Sequence, residues 1–236
     1  MTVKNLFADV SSHQPDSSSY FQALKNAGCK GVVVKLTEGT GYTNPLATAQ
    51  CNQTTTHGMK LSVYHFARFT TAAGARAEAN YFLAAIKARN LPTSTPVIND
   101  FEATHASVAA LNAFYEPLES AGYKSIGLYS MRSWFSAGYF NGVRGVKWVA
   151  EYGRSSCSIS CDAWQYTGTG SVGGVTTDLS WDYNGIFTTN SSTGSSDTNQ
   201  DRENQHQKTQ NDATKLAYCY SLLNFVMIQT YDKWLH

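Results

Sequence analysis

Residues 6–183 contain about eight short apolar runs, and stretches with a helical pattern separate the early runs. The run Gly31-Val-Val-Val-Lys-Leu is apolar almost throughout rather than alternating, which is typical of a strand covered on both faces in a parallel sheet. Strands of this kind that alternate with helices predict an α/β sheet or barrel. The candidate strands are Leu6–Val10, Gly31–Leu36, Leu61–Phe66, Pro96–Phe101, Ser125–Tyr129, Lys147–Ala150, Ala163–Tyr166 and Leu179–Tyr183.

Three stretches between the early strands have apolar residues at spacings of three and four, which predicts crossover helices: Tyr20–Ala27, Ala75–Lys87 and Val108–Leu118. Beyond about residue 145 the strand signals lie closer together and no helical pattern separates them. The stretch Gly168–Gly173 formally matches GxGxxG, but no helix follows it, so we interpret it as a hairpin turn. We therefore expect an α/β fold, an irregular TIM-like (β/α) barrel of about eight strands and fewer helices.

The composition changes near Phe187, where we place the end of a barrel domain of residues 1–187. Residues 188–214 are rich in Ser, Thr, Asn, Gln and Asp and offer almost nothing to bury, which predicts a polar linker. Residues 215–236 are apolar again but too short to fold alone. This C-terminal segment is either a docking helix or a fragment of a second domain.

Charge and hydropathy exclude several classes of partner. The net charge is +1, so the chain has no field that would concentrate nucleic acid or anionic lipid. No stretch is long enough to span a membrane, and the N-terminus lacks the apolar core of a signal peptide. We expect a monomer that is made in the cytoplasm without a signal peptide, does not bind nucleic acid and does not insert into membranes.

The cysteines and histidines give no pattern of a metal site. The cysteine count of five is odd; Cys157 and Cys161 could pair across a loop, but the spacings match no zinc or disulfide framework. No two histidines stand in H-x-x-x-H or H-E-x-x-H spacing, and no G-x-S-x-G elbow is present. We expect neither a metal nor a cofactor, and no acyl-transfer chemistry.

Carboxylates follow five of the predicted strands, the position at which β/α barrels gather catalytic side chains. Asp100 and Glu102 are two residues apart on a strand, so their side chains project to the same face. Crowding of like charges raises at least one pKa, and one protonated and one ionised carboxyl are what glycosidic cleavage requires. The alternative is that such acids are solvated loop residues or helix caps. The strand-end acids are Asp9, Glu38, Asp100 with Glu102, Glu151 and Asp182.

A series of ordered segments resembles the lysozymes of glycoside hydrolase family 25 between Phe7 and Phe187. The order and spacing of the segments make the resemblance specific. They are Asp9-Val-Ser-Ser-His-Gln, Lys35-Leu-Thr-Glu-Gly-Thr-Gly-Tyr-Thr-Asn-Pro, Tyr64-His-Phe-Ala-Arg, Asn99-Asp-Phe-Glu, Tyr129-Ser, Trp148-Val-Ala-Glu-Tyr, Ala163-Trp-Gln-Tyr-Thr and Asp182-Tyr-Asn.

The resemblance implies a muramidase that cleaves the β-1,4 bond between N-acetylmuramic acid and N-acetylglucosamine in bacterial peptidoglycan. It implies Glu102 as the general acid, Asp100 as the partner that orients the N-acetyl group or stabilises the intermediate, and Asp9 and Asp182 as flanking carboxylates. The enzyme would act on the cell wall after release by a holin or another route. The candidate substrate-binding residues are Tyr64, Tyr129, Trp148, Tyr152, Trp164 and Glu38, with core packing as the alternative for the aromatic ones.

Two other functions are compatible with the same sequence. One is a catalytically silent barrel that binds peptidoglycan, and the other is a related glycosidase that acts on chitin-like substrates. The tail after the linker would, by the same resemblance, be a truncated wall-binding region.

Overall fold

The computed structural model describes residues 4–189, and eight of its nine strands close into a barrel. The ninth, β3, is a two-residue strand hydrogen-bonded to β2 outside the ring. The predicted α/β barrel is therefore confirmed. The strands are β1 (Asn5–Val10), β2 (Cys29–Glu38), β3 (Tyr42–Thr43), β4 (Lys60–Phe66), β5 (Val97–Asp100), β6 (Ile126–Met131), β7 (Val146–Ala150), β8 (Ala163–Val172) and β9 (Val175–Asp182).

The barrel is parallel except for β9, which runs against both of its neighbours. The ring closes where β1 pairs in parallel with β2 and antiparallel with β9. In the β1–β9 register Asp9 lies opposite Asp178, and Asn5 lies opposite Asp182. The first half of β9 is therefore at the end of the barrel where the parallel strands finish, which we call the C-terminal end.

The β8–β9 connection turns at Gly173 and Gly174, which have φ angles of 59° and 81°. Two adjacent residues with positive φ are the geometry of a two-residue hairpin. Gly168 and Gly170, which the sequence analysis assigned to the turn, lie instead on strand β8.

Five helices flank the described part of the barrel, fewer than the strands. Ser17, Thr71 and Ser107 each accept a backbone N–H with their side chains and so begin α1, α3 and α4. Helices α2 and α5 were not predicted. The helices are α1 (Ser18–Asn26), α2 (Ala47–Thr56), α3 (Ala72–Lys87), α4 (Val108–Ser120) and α5 (Arg132–Ser136).

Two apolar cores hold these layers together. The larger lies between the barrel and its helices, and the smaller fills the barrel interior. Phe187 closes the interior core by stacking on Phe7 with ring centroids 4.7 Å apart. A Cβ atom at Gly31 would overlap the carbonyl oxygen of Phe187, so glycine is required there. The chain leaving β9 thus seals the N-terminal end of the barrel.

Most of the predicted linker and the whole C-terminal segment lie outside the described residues, so the predicted domain boundaries stay predictions. Among residues 4–189, no helix combines the length and the apolarity needed to cross a bilayer. Cys157 and Cys161 are both free thiols in the structure, as are Cys29 and Cys51. Burial, and then the neighbouring Cys157, raise the pKa of the Cys161 thiol.

Candidate active site

A cleft of about 250 Å³ opens at the C-terminal end of the barrel. Four carboxylates, one lysine and several aromatic rings share it, so it combines crowded acids with surfaces suited to a sugar. Its lining residues are Asp9, Ser11, His13, Lys35, Tyr64, Phe66, Asp100, Glu102, Tyr129, Trp148, Gln165 and Asp178.

Asp100 and Glu102 lie together in this cleft, delivered by β5 and the loop that follows it. Asp100 is 7% exposed, and its Oδ1 has no hydrogen-bond partner among the described residues. Burial, followed by the charges of Glu102 and Asp9, raises the pKa of Asp100 well above its usual range. Burial and the charge of Asp178 also raise the pKa of the more accessible Glu102.

Asp9 and Asp178 form a second carboxyl pair across the β1–β9 ladder. Burial, and then the charge of Asp178, raise the pKa of Asp9 well above its usual range. Burial raises the pKa of Asp178 as well. Because two close carboxylates resist joint ionisation, this pair retains a proton at a pH where an isolated aspartate is charged.

Gln165 links the Asp9 carboxylate to two tyrosines. Its Nε2 donates to Oδ2 of Asp9 over 3.0 Å. Its Oε1 accepts from the hydroxyl of Tyr129 at 2.8 Å and from that of Tyr152 at 2.5 Å. The three hydrogen bonds fix the amide orientation and hold the two tyrosines at the edge of the cleft.

Lys35 is the lysine among these acids, and its positive charge offsets part of the rise in the pKa values of Asp100 and Glu102. Its Nζ is 2.7 Å from Oε2 of Glu38, whose other oxygen is 2.6 Å from the Arg68 guanidinium. Burial opposes the ionisation of Glu38, but the hydrogen bonds from Lys35 and Arg68 prevail and lower its pKa. Glu38 does not line the cleft, and its two cationic partners make it a support for Lys35.

The structure contradicts the predicted position of Asp182. This residue ends β9, but β9 is antiparallel, so Asp182 lies at the N-terminal end of the barrel opposite Asn5. Its carboxylate accepts hydrogen bonds from the backbone of Asn184, Gly185 and Phe187 and from the Thr188 hydroxyl. Asp182 holds the chain that seals the barrel, and Asp178 stands in the cleft instead.

Two further strand-end residues lie away from the cleft. Trp164 is adjacent to Gln165 and so points to the outer face of β8, where its Nε1 donates to the carbonyl of Glu151. The prediction of Trp164 as a sugar-binding residue is therefore wrong. The carboxylate of Glu151 accepts from the backbone and hydroxyl of Ser158, and the backbone bond lowers its pKa. Glu151 thus anchors its own loop.

The remaining candidates are at the cleft or its rim. Tyr64, Tyr129 and Trp148 line it, and Tyr152 stands at the mouth, 54% exposed. The sequence analysis missed the lining residues Asp178, Gln165, Lys35, Ser11, His13 and Phe66 as members of the site. The sequence carried a signal for two of them. Gln165 is a polar residue within the apolar Ala163–Tyr166 run, and the Gly-Gly turn before β9 places Asp178 at the C-terminal end of the barrel.

The chemistry available to this cleft is proton transfer between carboxyl groups. Burial and crowding raise the pKa values of Asp100 and Glu102 above those of isolated carboxyl groups, while the charge of Lys35 favours ionisation. One acid to protonate a leaving oxygen and one carboxylate to stabilise a cationic centre are the minimum for glycosidic cleavage. Among the described residues, no group of three or more His, Cys, Asp or Glu side chains has the arrangement of a metal site.

Known proteins resemble this chain in both sequence and fold. Lysozyme M1 of Streptomyces globisporus is 27% identical over 199 residues, which cover 73% of this chain and 67% of that enzyme. A lysozyme of Streptococcus phage Cp-7 is 37% identical over 135 residues, which cover 53% of this chain and 36% of the phage protein. The match therefore spans only about a third of the phage relative.

The catalytic domain of the endolysin ply40, from bacteriophage P40 of Listeria monocytogenes, shares the fold with a TM-score of 0.69 at 24% identity. The superposition covers 79% of this chain and 97% of that domain. The sequence profile of glycosyl hydrolases family 25 matches residues 8–175, which include three of the four cleft carboxylates and end before Asp178. The chain belongs to glycosyl hydrolases family 25 and is a glycoside hydrolase.

Proposed function

We propose that this protein is a lysozyme that hydrolyses the β-1,4 bond between N-acetylmuramic acid and N-acetylglucosamine in bacterial peptidoglycan, causing cell lysis. The observation that carries the proposal is the pairing of Asp100 and Glu102 in one cleft with the pKa values of both raised. The lysozyme names of the sequence relatives support the choice of substrate.

Glu102 is the proton donor to the leaving oxygen. Its side chain is more accessible than that of Asp100, so it can reach a glycosidic oxygen in the cleft. Burial and the charge of Asp178 keep its pKa raised, which maintains the acid form that protonation requires.

Asp100 faces the reacting sugar from the floor of the cleft. Its unpartnered Oδ1 is free to accept a hydrogen bond from an N-acetyl group or to stabilise positive charge at the anomeric carbon. The Asp9–Asp178 pair stands beside it and adds negative potential. Tyr64 offers ring surface to the sugar within the cleft. Tyr129 and Trp148, which are 7% and 2% exposed, pack mainly within the interior core.

The test is release of reducing sugar ends from purified peptidoglycan, with wild-type protein beside Glu102→Gln and mass spectrometry of the products. We expect fragments that end in reducing N-acetylmuramic acid and a loss of roughly 10²-fold or more in kcat for the variant. Circular dichroism of both proteins controls for folding.

Soluble chitooligosaccharides in a parallel assay separate a muramidase from a glycosidase for chitin-like substrates. Faster cleavage of chitooligosaccharides than of peptidoglycan would overturn the substrate assignment. Folded wild-type protein that sediments with peptidoglycan but releases no reducing ends would show a silent binding barrel, and full activity of Glu102→Gln would remove that residue from the mechanism.

A further inference from the structure

The exposed apolar side chains of this barrel are concentrated on one rim. Among the described residues, four large apolar side chains are exposed: Tyr42, Met131, Tyr139 and Tyr152. Tyr42 pairs with the end of β2, Met131 ends β6, and Tyr152 follows β7. Single exposed apolar residues are common on any surface, but their gathering beside one cleft indicates a ligand-binding surface.

Tyr139 belongs to a surface aromatic cluster with the exposed His105 and the half-buried Trp134, which we call the aromatic platform. The His105 and Trp134 rings stack with centroids 4.8 Å apart and an interplanar angle of 20°. The Tyr139 ring lies 5.5 Å from His105 and 6.1 Å from Trp134. His105 is in the loop that carries Glu102, so the platform borders the acid side of the cleft.

The platform is fixed in place by the same loop that positions Glu102. The Trp134 ring packs edge-on against Phe101 at 6.2 Å, and Phe101 stands between Asp100 and Glu102 in the chain. The hydroxyl of Ser130 donates to the carbonyl of Phe101, and that of Thr104 donates to the carbonyl of Phe69. The rings are therefore preorganised, which lowers the entropic cost of binding.

We propose that the aromatic platform is a binding site for a further sugar ring of the glycan strand, outside the cleft that holds the scissile bond. This inference rests on the proposed function and adds to it a set of residues, the aromatic platform, that binds polymeric substrate. A pyranose ring presents a flat C–H face that stacks on an aromatic ring. None of the ring N–H and O–H groups of His105, Trp134 and Tyr139 has a hydrogen-bond partner among the described residues, so all can bond to sugar hydroxyl or acetamido groups.

The platform lies outside the cleft lining, so only a strand long enough to reach beyond the cleft can contact it. A short fragment that fills the cleft does not reach the rings. The platform should therefore increase the affinity for long strands and leave the chemical step to the cleft.

The test compares His105→Ala, Tyr139→Ala and the double variant on two substrates, polymeric peptidoglycan and a purified disaccharide-peptide dimer. Each single variant should raise KM on the polymer by roughly threefold to tenfold, with a smaller change on the short fragment. Tyr183→Ala, a half-buried tyrosine at the N-terminal end of the barrel, is the matched control and should change neither value. Thermal melting shows whether each variant is folded.

An unchanged KM on the polymer in the double variant would overturn the proposal that the platform binds sugar. Equal changes in KM on both substrates would overturn it as well. Sedimentation with insoluble peptidoglycan, in a Glu102→Gln background, tests it independently of turnover. Weaker sedimentation of the platform variants than of their parent supports the inference, and equal sedimentation contradicts it. If wild-type protein cleaves neither substrate, the proposed function fails, and this binding measurement still decides the platform.

Discussion

The two ends of this barrel each bury an aspartate, and the two carboxylates have opposite surroundings. At the N-terminal end, Asp182 is 0% exposed and accepts four hydrogen bonds, the shortest of them 2.8 Å from the backbone N–H of Phe187 and the Thr188 hydroxyl. At the C-terminal end, Asp100 is 7% exposed, has an oxygen without a partner among the described residues, and faces two further acids.

This difference separates the structural end from the catalytic end. A buried carboxylate whose lone pairs are all occupied stabilises the fold and has nothing left to offer a substrate. A buried carboxylate crowded by like charges is costly to the fold, but it keeps a raised pKa and free lone pairs that chemistry can use. The same residue type therefore serves stability at one end and reactivity at the other.

The largest expected effect is on activity at the crowded end. Asp100→Asn replaces the carboxyl group that faces the reacting sugar with an amide that cannot ionise, and we expect kcat on peptidoglycan to fall by roughly 10²-fold or more. Asparagine is nearly isosteric, so near-ultraviolet circular dichroism should match the wild type. An activity within twofold of the wild type would show that the cleft does not use this carboxylate.

The matching change at the structural end should act on stability. Asp182→Ala leaves three backbone N–H groups and one hydroxyl without their acceptor, so the free energy of unfolding should fall by about 3 kcal/mol. Glu116→Ala, which removes an exposed carboxylate paired with Arg76, is the control and should cost much less, because exposed ion pairs add little to stability. Urea unfolding of the three proteins measures both values, and equal losses would contradict the assigned role of Asp182.

Asp100 should also reduce stability at neutral pH. Its pKa is raised in the folded chain above the usual value of 3.8, so the unfolded chain releases this proton at a lower pH. The stability that the protonated group contributes is fully present below the pKa of the unfolded chain. It is lost as the pH rises through the higher pKa of the folded chain. Asp100→Asn should therefore increase the free energy of unfolding at pH 7, and by less at pH 4. A decrease at pH 7 would show a structural role.

A smaller effect is expected on the pH dependence of activity when Lys35 is replaced. Lys35 lowers the pKa of Glu102, so Lys35→Met should raise it. Because Glu102 acts in its protonated form, the decline of kcat/KM at high pH should move to higher pH. Lys30→Met is the control, since Lys30 lies on the same strand at the opposite end. A shift to lower pH, or an equal shift in both variants, would argue against this coupling.

The sequence predicted the parallel strands of the barrel and the acids at their ends. Continuous apolar runs such as that of β2 indicate burial on both faces, and a parallel strand carries its catalytic residue at or just beyond its C-terminal end. Asp9, Asp100 and Glu102 follow that rule, and the structure places all three in the cleft.

The site residues were mispredicted where the direction of a strand, or the face of the sheet to which a side chain points, had to be known. Asp182 follows an apolar run as Asp100 does, but β9 is antiparallel, so the rule for strand ends selects the wrong end of the barrel. Trp164 and Gln165 are adjacent and point to opposite faces, and the aromatic residue was preferred over the amide. Helix α2 was missed because its Thr-rich sequence has weak helix propensity and little amphipathic pattern.

The most direct test of this account is the kcat of Asp178→Asn beside that of Asp182→Asn, two isosteric changes four residues apart on one strand. Both are assayed on purified peptidoglycan, with the active concentration corrected for the folded fraction. The account predicts that Asp178→Asn lowers kcat by roughly tenfold or more, whereas Asp182→Asn keeps the wild-type kcat and loses stability. A loss of kcat in Asp182→Asn with full activity in Asp178→Asn would contradict it and return the catalytic set to the one expected from sequence.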